Sequence, residues 1–191
     1  MLEKALIFLA NTVFGLFTMA LLLRFYVQWA RAAYRNPLSE FLSALTDFMV
    51  LPARRVIPGL WGLDLATPVL AWLVQVLELL VILEIKGYPL ASATGSAYAG
   101  VALLALVMIV KLGLYIVIAV VVVQAVLSWI NPYTPFAPLL NNMTRPFLYV
   151  FRKLIPPIGN VDLSPLIVIV ICQLLLMLPV AYLELTLLRW F

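Results

Sequence analysis

Long apolar runs alternate with shorter polar segments along the chain. Four runs are long enough to cross the hydrocarbon core of a membrane, which takes about 20 helical residues. They cover residues 5–23, 68–83, 101–129 and 165–188. The pattern therefore predicts an all-α membrane protein with four transmembrane helices.

An amphipathic stretch follows the first and the third apolar run. Apolar residues recur at helical spacing from Leu38 to Met49 and from Phe136 to Phe151, with polar residues mostly between them. At about 15 residues, neither stretch is a good spanning helix. We expect both to lie in the membrane interface, and a re-entrant hairpin packed between the spans is the alternative. Pro146 is expected to kink or interrupt the second stretch.

The second half of the chain repeats the first. Matching residues recur 98 positions apart, which indicates a tandem duplication. The matches include Thr46, Arg54, Arg55, Pro58, Asp64 and Gln75 with Thr144, Arg152, Lys153, Pro156, Asp162 and Gln173, and, after small insertions, Asn36-Pro37 with Asn131-Pro132 and Trp29 with Trp129. We predict two repeats, residues 1–90 and 91–191, each a transmembrane helix, an interfacial helix and a second transmembrane helix. Two spans per repeat give both repeats the same orientation.

Composition excludes most catalytic chemistry. Apolar residues make up 66% of the chain and charged residues 10%, far from an average soluble domain. The chain has no histidine and a single cysteine, Cys172, inside an apolar run, and no phosphate-binding glycine loop is visible. We therefore predict a non-enzymatic protein without cofactor or metal. Its formal charge of +4 comes from cations beside apolar runs, which favours lipid phosphate over nucleic acid as their partner.

The positions of the cations predict the topology. Seven follow the first and third spans, and three flank the opposite ends of the spans. The seven are Arg31, Arg35, Arg54, Arg55, Arg145, Arg152 and Lys153, and the three are Lys4, Lys86 and Arg189. By the positive-inside rule, both repeated motifs face the cytoplasm and both termini face out of a bacterial inner membrane. Arg24, near the inner end of the first span, is expected to snorkel to the same surface.

The residues of the repeated motif have physical interpretations. Asn36-Pro37 and Asn131-Pro132 should end the preceding helix, Pro58 and Pro156 should stop the interfacial helix, and Gly159 should turn the chain. Thr67-Pro68 and Ser164-Pro165 have the pattern of a helix N-cap followed by proline. Asp64 and Asp162 should form structural salt bridges with the nearby cation pairs. Five cations are candidate lipid- or partner-binding residues, namely Arg54, Arg55, Arg145, Arg152 and Lys153.

The ionisable residues Glu78 and Lys111 lie within the second and third predicted spans. Glu78 and Lys111 have similar depths in successive spans, and charges there are costly unless paired. We expect them to form an ion pair, and an ion path lined by one or both is the alternative. Gln75 and Gln173 are expected to form interhelical hydrogen bonds.

The repeated motif resembles that of the YggT family, which includes the YlmG proteins of cyanobacteria and chloroplasts. The resemblance covers nearly the whole chain as two YggT units. It rests on Asn131-Pro132, Thr144-Arg145-Pro146, the run from Arg152 through Lys153 and Pro156 to Gly159, and Asp162-Leu-Ser-Pro. It implies a role in cell division, in membrane or nucleoid organisation, or in osmotic tolerance and ion uptake.

Two functions remain open at this point. The first is a scaffold that binds anionic lipid headgroups through its basic interfacial helices and organises protein partners at the cytoplasmic face. The second is a small transporter or channel subunit that affects potassium homeostasis. Four helices leave little room for a cavity at the midplane, so transport would require a homo-oligomer.

Overall fold

The described residues of the protein form seven α-helices. The computed structural model describes residues 1–31, 36–59, 62–89, 95–131, 134–154 and 162–189. The helices are α1 (Leu2–Trp29), α2 (Pro37–Val56), α3 (Ala66–Ile85), α4 (Gly95–Ile130), α5 (Ala137–Leu154), α6 (Ser164–Leu175) and α7 (Ala181–Leu188), with a π-helical turn (Leu176–Val180) between α6 and α7. Arg35, Pro132, Pro156 and Gly159, which the sequence analysis singled out, lie outside the described residues.

Four of these helical segments are long and apolar enough to cross a membrane. They are Leu2–Trp29, Ala66–Ile85, Gly95–Ser128 and Ser164–Leu188, the last of which comprises α6, the π-turn and α7. They match the four apolar runs, so the predicted fold class is confirmed. Most of the residues in each span face outward in the bundle, as expected for helices whose surroundings are lipid rather than protein.

The core joins the two halves of the chain. α1 packs along α3, and α4 packs along α5, α6 and α7. The buried cluster draws on α1 to α6, and its members include Leu21, Val50, Ala71, Val121 and Leu148. Since the spanning helices are only weakly amphipathic, they meet by close packing rather than by a separation of polar and apolar faces.

The two short helices, α2 and α5, both contact the C-terminal end of α1. Arg24 donates a hydrogen bond to Thr46 of α2, and Tyr26 donates one to the main-chain carbonyl of Met143 in α5. α5 continues through Pro146, so the helix is not interrupted there, and the kink that was the other expectation at this residue stays a prediction. A proline inside a helix removes one backbone donor, and packing of the neighbouring Leu148 and Met143 in the core holds the helix together.

Candidate functional site

Asp64 organises the turn between α2 and α3. One carboxylate oxygen, Oδ2, accepts hydrogen bonds from Arg54 Nε at 2.9 Å, Arg54 Nη2 at 2.7 Å and Thr67 Oγ1 at 2.6 Å. The other oxygen, Oδ1, accepts from the first N–H of α3, that of Ala66, at 3.1 Å. A carboxylate at a helix N-terminus satisfies an otherwise unpaired donor and meets the positive end of the helix dipole.

Asp162 has the same role in the second repeat. Its Oδ2 accepts from Arg152 Nε at 2.8 Å, and its Oδ1 accepts from the N–H of Ser164, the first residue of α6, at 2.9 Å. The expected salt bridges of both aspartates are therefore present. They differ in burial, because the Asp64 side chain is 5% exposed and that of Asp162 is 37% exposed.

The pKa values of both aspartates lie below the ordinary value for this side chain. Burial by itself would raise the pKa of Asp64, but hydrogen bonds from Arg54 and Thr67, together with the Arg54 charge, lower it. At Asp162, burial is likewise outweighed by hydrogen bonds from Ser164 and Arg152 and by the charge of Arg152, so its pKa is lowered too. Both carboxylates are therefore ionised at neutral pH.

The helix starts differ from the expected capping pattern. α3 begins at Ala66 and α6 at Ser164, so Thr67 and Ser164 lie inside the first turn and neither is the N-cap. The aspartate two residues before each helix accepts the first N–H instead. Pro165 stands within the first turn of α6, where a missing N–H costs nothing.

The two Asn-Pro steps are not equivalent. α4 ends at Ile130, directly before Asn131, as expected. α1, by contrast, ends at Trp29, and Asn36 caps the start of α2 by accepting a hydrogen bond from the N–H of Ser39 at 2.8 Å, with Pro37 as the first helical residue. The prediction that Asn36-Pro37 ends a helix is therefore wrong, because an asparagine before proline also suits a helix start. Pro58 follows the end of α2 at Val56, as expected for a helix stop.

Thr46 and Thr144 occupy matching buried positions in the short helices. Both are fully buried, and each hydroxyl donates to the carbonyl four residues earlier, that of Leu42 or Leu140. A threonine that bonds to its own helix can face the core without an unpaired donor. These two residues place the same face of α2 and α5 against the spans.

Arg24 is largely covered by α2. Its side chain is 12% exposed, and its Nη1 lies 2.6 Å from Thr46 Oγ1 and 2.7 Å from Asp47 Oδ1. α2 folds back over the end of α1 and supplies this carboxylate, and the expected snorkelling of Arg24 to the cytoplasmic surface stays a prediction. Arg24 also lines a cavity of about 640 Å³ between α1, α2 and the turn before α3. We call this the first-repeat cavity; Gln28 closes one side of it by donating to the carbonyl of Gly62 at 3.2 Å.

A smaller cleft occupies the matching place in the second repeat. It has a volume of about 110 Å³, and Gln124, Ser128, Leu140 and Asn141 are among the residues that line it. Gln124 donates to Asn141 Oδ1 at 2.6 Å. The described part of this cleft has no charged lining residue.

A third cavity, of about 370 Å³, lies where the two repeats meet. The residues that line it are Trp29, Ala30, Arg31, Asn142, Arg145, Pro146 and Tyr149. Lys153 stands over the ring of Tyr149, with Nζ 4.4 Å from the ring centroid. We call Arg31, Arg145, Tyr149 and Lys153 the basic surface. The described residues that line the cavity include two arginines and no carboxylate.

The backbone and packing around the basic surface are unusual. Arg31 has a φ of +49°, which non-glycine residues adopt infrequently. The rings of Tyr26, Trp29 and Phe147 lie within 6.2 Å of one another, centroid to centroid, and connect the end of α1 to α5. Tyr26, Trp29 and Arg31 were not among the candidate site residues; the sequence analysis used Trp29 only as a repeat match and Arg31 only as a cation that predicts topology.

The five cations proposed for lipid binding are in different environments. Arg54 and Arg152 are paired with aspartates. Arg145 and Lys153 belong to the basic surface. Arg55 is exposed and forms no ion pair with any residue that the structure describes.

The predicted Glu78–Lys111 pair is wrong. Lys111 instead forms an ion pair with Glu184 of α7, with Nζ 2.7 Å from the carboxylate oxygen Oε2. Trp72 of α3 donates to the carbonyl of Ala102 in α4. This contact sets the register of the two helices. Because successive spans run in opposite directions, Glu78 and Lys111, which both follow the contact in their own helices, lie on opposite sides of it and meet different neighbours.

The interhelical hydrogen bonds expected of Gln75 and Gln173 are not seen among the described residues. Gln75 donates to Glu78 Oε2 at 2.9 Å within α3, and both side chains are buried. Gln173 lies on the exposed surface of α6. In the described parts of the chain, no group of three or more carboxylate and thiol side chains could hold a metal ion.

These features define a class of protein: a polytopic α-helical membrane protein in which each half carries an Arg–Asp pair between a short amphipathic helix and the next span. The family model described as CCB3/YggT matches the chain twice, at residues 4–85 and 103–183. The chain therefore belongs to the CCB3/YggT family, and the double match shows the tandem repeat.

Relatives come from several bacteria. An uncharacterised protein of Pseudomonas aeruginosa is 35% identical over 94% of this chain and 90% of its own length. A Vibrio alginolyticus protein is 32% identical over 85% of this chain and 86% of its own length, and the uncharacterised YggT protein of Escherichia coli is 31% identical over 88% and 85%. No solved structure matches the chain.

Proposed function

We propose that the protein is a non-enzymatic scaffold of the bacterial inner membrane that binds anionic lipid headgroups at its basic surface. The observation that carries this proposal is the clustering of Arg31, Arg145 and Lys153 around Tyr149, with no carboxylate among the described lining residues. A cavity with unbalanced positive charge attracts phosphate oxygens, for which arginine offers several donors in a planar arrangement.

The short helices supply the apolar part of this interaction. Phe41 and Phe48 of α2 are more than 60% exposed, and Tyr149 and Val150 of α5 are about half exposed. Large exposed apolar side chains on an amphipathic helix suit the boundary between headgroups and acyl chains. This supports an interfacial position for α2 and α5 over a re-entrant hairpin.

Ion pairing reduces what two of the four repeated cations can contribute to lipid binding. A lysine or arginine near an anionic leaflet contributes about 1 kcal/mol of attraction. Arg54 and Arg152 already meet Asp64 and Asp162, so most of the attraction falls to Arg55, Arg145, Lys153 and Arg31. In this proposal the protein organises lipids and partner proteins at the cytoplasmic face, in the settings of cell division and osmotic tolerance that its resemblance implies.

Removal of the basic surface tests lipid binding. We expect the Arg31→Gln, Arg145→Gln, Lys153→Gln variant to retain at least about tenfold less phosphatidylglycerol in native mass spectrometry, because three attractions of about 1 kcal/mol each are lost. The matched control removes three cations elsewhere: Lys4→Gln, Lys86→Gln, Arg189→Gln. Equal retention by both variants, with both correctly inserted, would contradict the proposal.

The proposed orientation places both repeated motifs in the cytoplasm and both termini outside. Single cysteines at Arg55→Cys or Lys153→Cys, in a Cys172→Ser background, should not react with an impermeant thiol reagent added to intact cells. Cysteines introduced near the termini, at Lys4→Cys or Arg189→Cys, should react. The reverse pattern of labelling would invert the assignment.

A second candidate function, cation transport, is favoured by Glu78. Its side chain is 7% exposed inside a spanning helix, and its one hydrogen-bond partner among the described residues is the neutral Gln75. A carboxyl group in this setting is costly when ionised, and such groups often belong to ion or proton pathways. Selective potassium flux into proteoliposomes that is abolished by Glu78→Gln would replace the scaffold function with transport.

A further inference from the structure

We propose that the first-repeat cavity binds the headgroup of a zwitterionic phospholipid that carries a primary amine, of the phosphatidylethanolamine type. This site is separate from the basic surface and does not depend on the proposed scaffold function. With a volume of about 640 Å³, it has the size of a small-molecule binding pocket, for which about 300–1,000 Å³ is typical.

Unused donors point to a phosphate in this cavity. Arg24 uses only Nη1 for its contacts with Thr46 and Asp47, and Arg54 uses Nε and Nη2 for Asp64. The remaining guanidinium N–H groups have no partner among the residues that the structure describes. Both arginines line the cavity, as does Ser43, whose hydroxyl is also without a described partner. A phosphate bound between the arginines would satisfy these donors.

The charges in the lining favour a zwitterion over an anion. Two cations, Arg24 and Arg54, face two carboxylates, Glu40 and Asp64. The Asp64 oxygens already accept four hydrogen bonds, so Glu40 is the acceptor that remains. A headgroup with its ammonium at Glu40 and its phosphate at the arginines would leave the net charge of the cavity unchanged. A net anion would be repelled by both carboxylates. The basic surface lacks this balance, which distinguishes the two sites.

The surroundings point to a lipid as the source of this headgroup. The cavity lies at the C-terminal end of the apolar α1, and Glu40 is followed by Phe41, which is 63% exposed. Phe48, two turns further along α2, is 68% exposed and packs against Phe17 of α1. Acyl chains attached to a headgroup in the cavity could lie along these rings. A soluble zwitterion would gain nothing from them.

The test compares lipid retention by purified protein in native mass spectrometry, with phosphatidylethanolamine, phosphatidylcholine and phosphatidylglycerol added in turn. The background is the variant that lacks the basic surface, so that anionic lipid bound there does not contribute. We expect phosphatidylethanolamine to be retained best, because the methylated amine of phosphatidylcholine cannot donate to Glu40 and phosphatidylglycerol has no amine. Equal retention of all three lipids would overturn the proposal.

Two variants locate the binding in the cavity. Glu40→Gln, at an exposed position, should lower retention of phosphatidylethanolamine by about fivefold or more, because a charge-assisted hydrogen bond is lost. Ser43→Phe should fill the cavity and lower retention further, whereas its counterpart Asn141→Phe in the second-repeat cleft should leave retention unchanged. Unchanged retention in Glu40→Gln would refute the site even if Ser43→Phe failed to fold. Displacement of the lipid by free glycerophosphoethanolamine at equal concentration would refute the lipid source.

Discussion

The two repeats place opposite charges at the same position of their short helices. Asp47 of the first repeat corresponds to Arg145 of the second at the constant repeat spacing. Asp47 pairs with Arg24 of α1, whereas Gln124, which the match of Trp29 with Trp129 aligns with Arg24, bonds to the neutral Asn141. The first repeat thus turns a charge inward into a partly buried ion pair, and the second turns a cation outward onto the basic surface.

The difference shows how the two copies of a duplicated unit present different surfaces without a change of fold. The structural elements are kept in both copies: the buried threonine, the Arg–Asp pair and the aspartate at the start of the next span. The elements that differ surround the cavities, where the first repeat has a large, charge-balanced space and the second has a small, neutral cleft beside a cationic surface. Changes at these positions alter the binding surfaces and leave the shared packing intact.

The largest expected effect concerns charges inside the spans, where the described residues form an ion pair in the second repeat and none in the first. Lys111→Met or Glu184→Gln should each lower the free energy of unfolding by about 3 kcal/mol, because the remaining partner becomes an unpaired charge. The double variant should recover much of the loss. Glu78→Gln in the first repeat should cost less than about 1 kcal/mol, since Gln75 can bond to an amide as well.

Denaturant unfolding in detergent, analysed as a double-mutant cycle, measures this coupling. Losses that simply add in the double variant would show that Lys111 and Glu184 do not stabilise each other. A coupling energy between Glu78 and Lys111 in the same experiment would support the ion pair that the sequence analysis predicted.

Removal of the more buried aspartate, Asp64, should destabilise the protein more than removal of Asp162. Asp64→Ala should cost about 2–3 kcal/mol, because it leaves Arg54, Thr67 and the N–H of Ala66 without their acceptor. Asp162→Ala should cost about 1 kcal/mol, because its partners can reach water. Thermal unfolding of the two variants side by side checks the ranking, and equal losses would show that burial does not separate the repeats.

The charge reversal itself should have a smaller effect. Asp47→Ala should lower stability by about 1–2 kcal/mol, since it leaves Arg24 partly buried without a carboxylate. Arg145→Ala, at the matching position, should change stability by less than about 0.5 kcal/mol, since exposed side chains away from such pairs contribute little. A loss in Arg145→Ala as large as that in Asp47→Ala would show that Arg145 stabilises the fold instead of serving a binding surface.

Local patterns in the sequence predicted much of this structure. The four spans follow from the length of the apolar runs, and the Arg54–Asp64 and Arg152–Asp162 pairs follow from residues ten positions apart on either side of one turn. These features depend on the chain close to each residue. The constant repeat spacing then allowed an assignment made in one half of the molecule to be applied to the matching residues of the other half.

Contacts between distant segments could not be predicted in this way. Lys111 and Glu184 are 73 residues apart, and Tyr26 and Met143 are 117 apart. Uniformly apolar helices carry no pattern that determines which faces meet or at what register. The burial of Arg24 depends likewise on how α2 folds back over α1. The basic surface, which forms where the two repeats meet, was therefore recognised only in part, through Arg145 and Lys153.

The smallest effect is the response of the two Arg–Asp pairs to pH. The folded protein holds the pKa of Asp64 and Asp162 below the unfolded value of about 3.9. The unfolded state therefore binds protons first as pH falls, so the stability that these carboxylates contribute is complete above that value and is lost as pH drops through the lower folded pKa. Thermal unfolding measured from pH 6 downward should show a shallower decline in Asp64→Asn than in the parent protein. Asp162→Asn should change the slope less, because water already reaches its carboxylate, and identical slopes in the parent protein and Asp64→Asn would exclude Asp64 as a source of the acid sensitivity.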